Sequence, residues 1–375
     1  MNIPPQRYSL ETFLEYIARN KEDVFGPGQL KWLKGHLLYV RKDWQTTFTE
    51  LHPENYGEIT KILFANKNEV VDFYAYEWAP GILMMFTSST EKLYEKTLEQ
   101  FIRARRGISP AWIRPITLDH MKNYLVSKFD AKIYRFISRR YGHWKMPARI
   151  RPDEDRRISY SGNDANEALK ELQSLYGVIP MSIDMQIGES KIQINRDGLF
   201  LLRQANLETV SILQEIIQRV IVEQTVIRDT SEKFDATTRK VSLGDREFNI
   251  PRIVAGKIIL PRTKLSEIMI RNMFKQNEID ERIQSDSDID VMSEIEADFS
   301  FIDTYIQEDP MMFRATVVDE EKGTVFGLSG IENEIALIPK HRTTFESFIK
   351  FYNAIVENFD DSATLATFSE PIIAK

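Results

Sequence analysis

The stretch VVDFYAYEWAPGILMMF, residues Val70 to Phe86, contains two β-forming runs separated by a tight turn. The first run, Val70 to Trp78, is rich in β-branched and aromatic residues, and the second is the apolar run Ile82 to Phe86. Between them, Ala79-Pro80-Gly81 favours a turn. The pattern predicts an antiparallel hairpin, because strands joined by a short turn pair with each other.

A helix is predicted directly after this hairpin. Ser88 and Glu91 have the spacing of a capping box, and apolar residues then recur at helical spacing until Gly107. The same order of hairpin and then helix occurs at Ile183–Leu202 followed by Asn206, and again from Met311 to a helix that begins near Thr343. These units predict an α+β fold with antiparallel sheets and two or three subdomains.

The chain of 375 residues exceeds the size at which a single core stops growing. We divide it into an N-terminal α+β domain (1–150), a middle α+β domain (151–228), a polar and acidic linker region with a short helix (229–310), and a C-terminal hairpin-helix unit (311–375). Two polar segments, Arg228–Arg246 and Gln276–Asp309, are predicted to be long loops, and the second is the better candidate for disorder because acidic residues dominate it.

Composition limits the class of protein. Hydrophobic residues make up 42% and charged residues 28% of the chain, which is typical of a soluble globular protein. The chain contains no cysteine, so disulfides and thiolate chemistry are excluded. No apolar run reaches the roughly 20 residues that a membrane helix needs, and the N-terminus lacks a signal pattern. We therefore expect a cytoplasmic protein without a membrane partner.

Positive charge is concentrated between Arg103 and Arg157. This stretch has fifteen Lys and Arg residues against five Asp and Glu, although the whole chain has a net charge of −7. Aromatic residues are interleaved with the cations, a combination that neutralises phosphates and stacks bases. The acidic total argues against indiscriminate binding along nucleic acid, so any such site must be local.

The loop that follows a predicted strand at Lys132–Ser138 is the best candidate for such a site. Gly142, Pro147 and Pro152 place it at the surface. We predict phosphate contacts or base stacking for residues of this loop and of the preceding cationic helix end: Arg103, Arg105, Arg106, Arg139, Arg140, Tyr141, His143, Trp144, Lys145, Arg149 and Arg151. Within the strand, periodicity does not tell which face meets water.

Two other interpretations remain open. The acidic segment Glu278–Asp309 carries nearly the complementary charge, so the basic stretch is equally suited to dock on that segment or on an acidic partner protein. Asp184, Glu189 and Lys191 resemble the carboxylate and lysine set of a divalent-metal-dependent nuclease, but the two carboxylates are close in sequence for that arrangement, and the alternation of Asp184 with Ile183 and Met185 favours a solvent-facing residue of an ordinary hairpin. The five histidines are scattered, so we predict neither a metal site nor a cofactor.

The sequence therefore favours a non-catalytic, cytoplasmic nucleic-acid-binding or regulatory protein. A protein-interaction subunit of a larger assembly, or a homo-oligomer, is the first alternative, and a metal-dependent hydrolase is the second. No catalytic residue is nominated. The choice between DNA and RNA is not determined by these patterns.

Overall fold

The structure, a computed structural model, describes residues 1–26, 32–41, 43–66, 69–140, 147–151, 154–203, 206–232, 234, 237–244, 246–252, 256–267, 269–270, 299–340 and 343–367. The chain divides into two compact units, Met1–Arg228 and Asp229–Lys375. Both combine antiparallel sheets with helices, which confirms the α+β prediction. Among the described residues, no helix has the length and apolar composition needed to cross a membrane.

Unit 1 contains helices on both sides of one large sheet. They are α1 (Leu10–Arg19), α2 (Lys21–Phe25), α3 (Trp44–Thr47), α4 (Glu91–Tyr94), α5 (Gln100–Ala104), α6 (Pro115–Phe129), α7 (Ala165–Tyr176) and α8 (Leu207–Glu232), and the boundary between the units falls inside α8. A π-helical turn, Glu95–Glu99, joins α4 to α5. The helix starts at Thr90, not at the predicted Ser88, because Thr90 Oγ1 accepts the Leu93 N–H at 3.4 Å.

The large sheet has eleven antiparallel strands, which come from both the predicted 1–150 and 151–228 segments. They are β1 (Trp32–Val40), β2 (Glu54–Tyr56), β3 (Ile59–Asn66), β4 (Glu69–Ala79), β5 (Ile82–Thr87), β6 (Ile108–Pro110), β7 (Lys132–Arg140), β8 (Arg156–Ser161), β9 (Ile179–Ile187), β10 (Ser190–Asn195) and β11 (Leu199–Arg203). The spatial order is β2-β3-β4-β5-β1-β11-β10-β9-β7-β8, and β6 also pairs with β1. The predicted hairpins at 70–86 and 183–202 both form.

Unit 2 contains a two-stranded ribbon and a six-stranded sheet. Its elements are β12 (Thr237–Leu243), β13 (Arg246–Arg252), β14 (Gly256–Ile259), β15 (Phe299–Glu308), β16 (Met311–Asp319), β17 (Thr324–Ile331), β18 (Glu334–Pro339), α9 (Phe345–Asn358) and β19 (Thr364–Thr367). The ribbon replaces part of the loop predicted at 228–246, since β-forming residues flank the turn at Gly244. The prediction of a loop at 276–309 is wrong for its last part, because Phe299–Glu308 forms β15 and pairs with β16, while residues 276–298 lie outside the described residues.

One face of the large sheet is covered by helices along its whole width, and we call it the covered face. A row of directly opposed residues crosses eight strands on this face: Tyr74, Phe86, Gly35, Phe200, Ile194, Ile183, Phe136 and Tyr160. Phe13 of α1 packs on Tyr74 with ring centroids 5.4 Å apart. At the other end, α6, α7 and α8 form one layer, in which α8 contacts the sheet through Gln224 and the Tyr39 hydroxyl.

The opposite face is covered over only part of its width. Over β1 to β5, apolar side chains such as Leu38, Phe64 and Phe73 pack against Tyr94 and Ile102 of the α4–α5 region. Burial of this cluster removes apolar area from water and fixes the helices on the sheet. The side chains on the remaining strands of this face, β11 to β8 in spatial order, are mostly polar.

Candidate functional site

The polar half of that face forms a continuous surface, which we call the open face. Its charged and aromatic members are Trp32, Lys132, Tyr134, Arg135, Arg139, Arg157, Asp184, Lys191 and Arg203. Strand register places them together, because directly opposed residues of neighbouring strands project from the same side of a sheet. One row of opposed residues consists of Trp32, Arg203, Lys191, Gln186 and Lys132. The next row consists of Lys34, Leu201, Gln193, Asp184, Arg135 and Ser161.

A β-bulge in β7 resolves the question that periodicity left open for this strand. The register against β9 shifts between Ile133 and Arg135, so Tyr134 is the extra residue. Lys132, Tyr134 and Arg135 therefore all lie on the open face, with Ile137 and Arg139 after them. Phe136 and Ser138 turn to the covered face and are buried. A strict alternation could not produce this arrangement.

The open face is strongly positive. Among the described residues its charged side chains are the cations Lys132, Arg135, Arg139, Arg157, Lys191 and Arg203, and the single carboxylate of Asp184. Lys132, Arg135, Arg157 and Lys191 are exposed, and Arg139 and Arg203 are half-buried. Lys34 of β1 does not belong to this set, because it is buried with Nζ 5.6 Å from the Tyr94 ring centroid and with acidic residues of the α4 region nearby. Several kT of positive potential are expected over such a surface, although the whole chain is acidic.

Two aromatic rings of the open face are in contact with its cations. Arg203 Cζ lies 4.7 Å from the ring centroid of Trp32, and Lys191 Nζ lies 5.1 Å from that of Tyr134. Arg203 and Lys191 are themselves directly opposed on β11 and β10. Across the face, the aromatic ring of Trp32 is therefore followed by the two cations Arg203 and Lys191 and then by the ring of Tyr134. Cation–π contacts hold the guanidinium and ammonium groups beside the rings.

Asp184 lies in the middle of the cations and is only 3% exposed. Burial raises the pKa of its carboxyl group, and the positive charges of Arg135 and Arg203 oppose that rise. Nearby, Nε of Arg203 is buried without a hydrogen-bond partner in the described part of the structure. Burial also raises the pKa of the Tyr134 hydroxyl, and the negative charge of Asp184 adds to this effect. These polar groups occupy one connected region of the face.

The loop predicted to bind nucleic acid lies between β7 and β8 in the chain, and its described residues 147–150 lie beside the C-terminal end of α7, on the covered face. Arg139 is half-buried and opposed to Arg157, the last cation of the face. Arg149 and Arg151 are exposed, and the Arg149 N–H donates to the Leu175 carbonyl at 2.8 Å. The remaining loop residues of the prediction, Tyr141, His143, Trp144 and Lys145, lie outside the described residues.

Arg140 does not fit the phosphate-contacting role that the sequence suggested. Its side chain is 1% exposed, and Nη1 donates to the Gly177 carbonyl at the end of α7, at 3.3 Å. A Cβ added to Gly177 would lie 2.2 Å from that nitrogen, so the guanidinium fills the space beside the glycine. Arg140 thus anchors the start of the loop on the covered face, and its guanidinium does not reach solvent.

The cations at the end of α5 lie apart from the open-face rows. Arg103, Arg105 and Arg106 are exposed and precede β6, which pairs with β1 at Leu38–Val40, the end of β1 distant from Trp32. Arg105 forms an ion pair with Glu50. Cations in this position also interact favourably with the negative end of the helix dipole.

The described residues do not assemble the metal-dependent site that was kept as an alternative. Asp184 and Lys191 share the open face, but Glu189 is exposed in the turn between β9 and β10. No group of three or more His, Asp or Glu side chains with metal-binding geometry exists among the described residues. His36 is buried, with Nε2 3.0 Å from the Asp197 carbonyl oxygen, and burial lowers its pKa to about 4.

Of the cations of the open face, only Arg139 was nominated from the sequence for nucleic-acid contact. Lys132, Arg135 and Arg157 fall within the basic stretch but were not nominated, and Lys191 and Arg203 fall outside it. Lys191 and Arg203 lie far along the chain from Arg135 and Arg157, and only strand pairing brings them together. A signal was present: Ser182, Asp184 and Gln186 alternate with apolar residues, as do Lys191, Gln193 and Asn195. Two paired strands with polar alternation must share a polar face.

Comparison with known proteins gives limited information. A family model with the description "family middle domain" matches residues 117–196. These residues contain β7, β8, β9 and β10 and make up less than half of the chain. An uncharacterized protein of Archaeoglobus fulgidus is 23% identical over 296 residues, covering 75% of this chain and 74% of that protein. No solved structure matches this chain.

Proposed function

We propose that this protein is a non-catalytic, cytoplasmic nucleic-acid-binding or regulatory protein, and that the open face is its binding surface. The loop that follows β7, with Arg149 and Arg151, would form a further contact next to the end of α7, beside the β7–β8 edge of the sheet. Arg139 and Arg157 connect the two regions. Of the cations nominated from the sequence, Arg140 serves to anchor the loop, and Arg103, Arg105 and Arg106 would act at most as a separate contact.

The single observation that carries this proposal is the charge of the open face. Among the described residues, six cations against one carboxylate lie on one side of five neighbouring strands. A structural role alone does not require this arrangement, because the same strands are stabilised through the apolar row on the covered face. Positive side chains that are exposed and adjacent release counterions when they meet phosphates.

Titration of labelled oligonucleotides tests the proposal. Fluorescence anisotropy would be measured with single-stranded and duplex DNA and RNA at about 50 mM and about 200 mM salt. The proposal predicts binding that weakens steeply as salt increases. Absence of salt-sensitive binding to every one of these nucleic acids would contradict it.

A protein-interaction role is the second candidate, and the acidic segment Glu278–Asp309 favours it. The twelve acidic residues of the segment outnumber its single cation, Arg282. Of these acids, Asp303 and Glu308 are exposed on β15, and Asp309 is exposed next to it. Deletion of residues 283–300 distinguishes the candidates: gain of nucleic-acid affinity would indicate autoinhibition, whereas loss of an oligomer or complex would indicate a role in assembly.

A further inference from the structure

We infer that the ligand of the open face is single-stranded nucleic acid, which crosses the strands of the sheet with bases stacked on Trp32 and Tyr134. This inference rests on the proposed function and narrows it to one class of nucleic acid. It depends on three features: the breadth of the face, the position of the two rings, and the cations between them.

The open face is too broad to enter the major groove of a DNA duplex. Six neighbouring strands, β1, β11, β10, β9, β7 and β8, contribute to it. At about 4.8 Å between neighbours they span on the order of 24 Å. The major groove of B-DNA is about 12 Å wide and admits a helix or a two-stranded ribbon. A duplex would therefore meet this face only with its outer phosphates, and its paired bases could not reach the rings.

The two rings are placed to receive unpaired bases. Trp32 and Tyr134 are each half-buried, and Arg203 and Lys191 lie over one face of their rings, so a base would stack on the other face of each ring. Arg203 beside Trp32 and Lys191 beside Tyr134 are directly opposed residues. Trp32 lies on β1 and Tyr134 on β7, four strand spacings away, with the Tyr134 ring directed back toward β10. The rings are therefore separated by roughly 15 Å, a distance that only a few nucleotides of an extended strand would span.

The cations lie where the sugar-phosphate backbone of that strand would run. Lys132, Lys191 and Arg203 belong to the same row as Trp32, and Arg135 lies in the adjacent row. Base stacking on aromatic side chains tolerates any sequence, because every base has a π-face. The face is therefore suited to an unpaired strand of either sugar type, with limited base preference.

Competition between strands and duplexes provides the test. A labelled single strand of about twelve nucleotides and the duplex of the same sequence would be titrated at one ionic strength by fluorescence anisotropy. We expect at least tenfold tighter binding of the single strand. The variants Trp32→Leu and Tyr134→Leu should each weaken binding of the single strand by about fivefold to a hundredfold, and should leave duplex binding unchanged.

Matched variants separate the loss of stacking from the loss of folding. Trp32→Phe and Tyr134→Phe retain a ring and should keep most of the affinity. Trp78→Leu removes a half-buried ring of β4, outside the open face, and should have no effect on binding. Thermal unfolding of each variant would show whether its fold is retained.

The outcomes distinguish this inference from the proposed function. Salt-sensitive binding that is equal for duplex and single strand, or that is insensitive to both Leu variants, would overturn the single-strand inference and leave nucleic-acid binding standing. If neither the single strand nor the duplex binds in a salt-sensitive way, both the single-strand inference and the proposed function are wrong. Binding of an acidic peptide with the sequence of residues 278–309, with no binding of either nucleic acid, would also overturn both and would support the interaction role.

Discussion

Neutralising part of the open face should change the salt dependence of binding by a predictable amount. Six of its cations are exposed or half-buried: Lys132, Arg135, Arg139, Arg157, Lys191 and Arg203. If each neutralises one phosphate of a single strand, log affinity should fall against log salt with a slope of about 4. Raising salt from about 50 to about 200 mM should then weaken binding roughly 300-fold.

The variant to test is the triple substitution Arg135→Gln, Arg157→Gln and Lys191→Gln. These three side chains are exposed and lie on three different strands, so little packing is lost. With three phosphate contacts removed, the slope should fall to about 2, and the same increase in salt should weaken binding only roughly 20-fold. Anisotropy titrations at several salt concentrations would measure both slopes.

A matched control removes the same charge from elsewhere in unit 1. Arg7, Arg19 and Lys170 are exposed and lie before α1, on α1 and on α7, and both helices pack on the covered face. Their combined substitution by Gln lowers the net charge equally and should leave the slope near that of the unmodified protein. If both triple variants reduce the slope by the same amount, net charge explains the effect and the reasoning about the open face is wrong.

Three further predictions concern stability. Burial lowers the pKa of His36 from 6.5 to about 4, so the stability that depends on its neutral form is complete above pH 6.5 and is lost as pH falls toward 4. Denaturant melts should show that the free energy of unfolding falls by about 3 kcal/mol over this range. The variant His36→Gln should show a smaller fall. Burial raises the pKa of Asp184, which means that its ionised form costs stability at neutral pH. The variant Asp184→Asn should therefore not lower the melting temperature and should not weaken binding of a single strand. A lower melting temperature would contradict this. Gly177→Ala should destabilise unit 1 by more than Gly188→Ala does. Both glycines have a positive φ (62° and 57°), but only at Gly177 would the added Cβ clash with Arg140. Equal midpoints of chemical denaturation for the two variants would refute the expected clash.

Local patterns in the sequence predicted the class of fold and several of its elements. The hairpins at Val70–Phe86 and Ile183–Leu202 follow from turn chemistry and from alternation of apolar and polar residues, which act over a few residues. The arrangement of the sheet did not follow. Pairing of β1 with β11 joins Gly35 to Phe200, and no local pattern specifies a contact so distant in the chain.

The candidate site was predicted only in part for the same reason. A charge count along the chain identified Arg139, which lies on the open face, and Arg149 and Arg151, which lie in the loop near the end of α7. The charge count could not identify Lys191 or Arg203, because these residues are distant in sequence from Arg135 and come close to it only when the strands pair. It also included Arg140, whose burial depends on the position of Gly177 at the end of α7.

Photo-cross-linking tests the central claim most directly. A short single strand carrying a photoreactive base would be bound at low salt and irradiated, and the cross-linked peptides would be identified by mass spectrometry. We predict cross-links to peptides that contain Trp32, Tyr134 and Lys191, and loss of these cross-links at high salt. Cross-links confined to residues 141–146, to the helices on the covered face or to unit 2 would contradict the assignment of the open face as the binding surface.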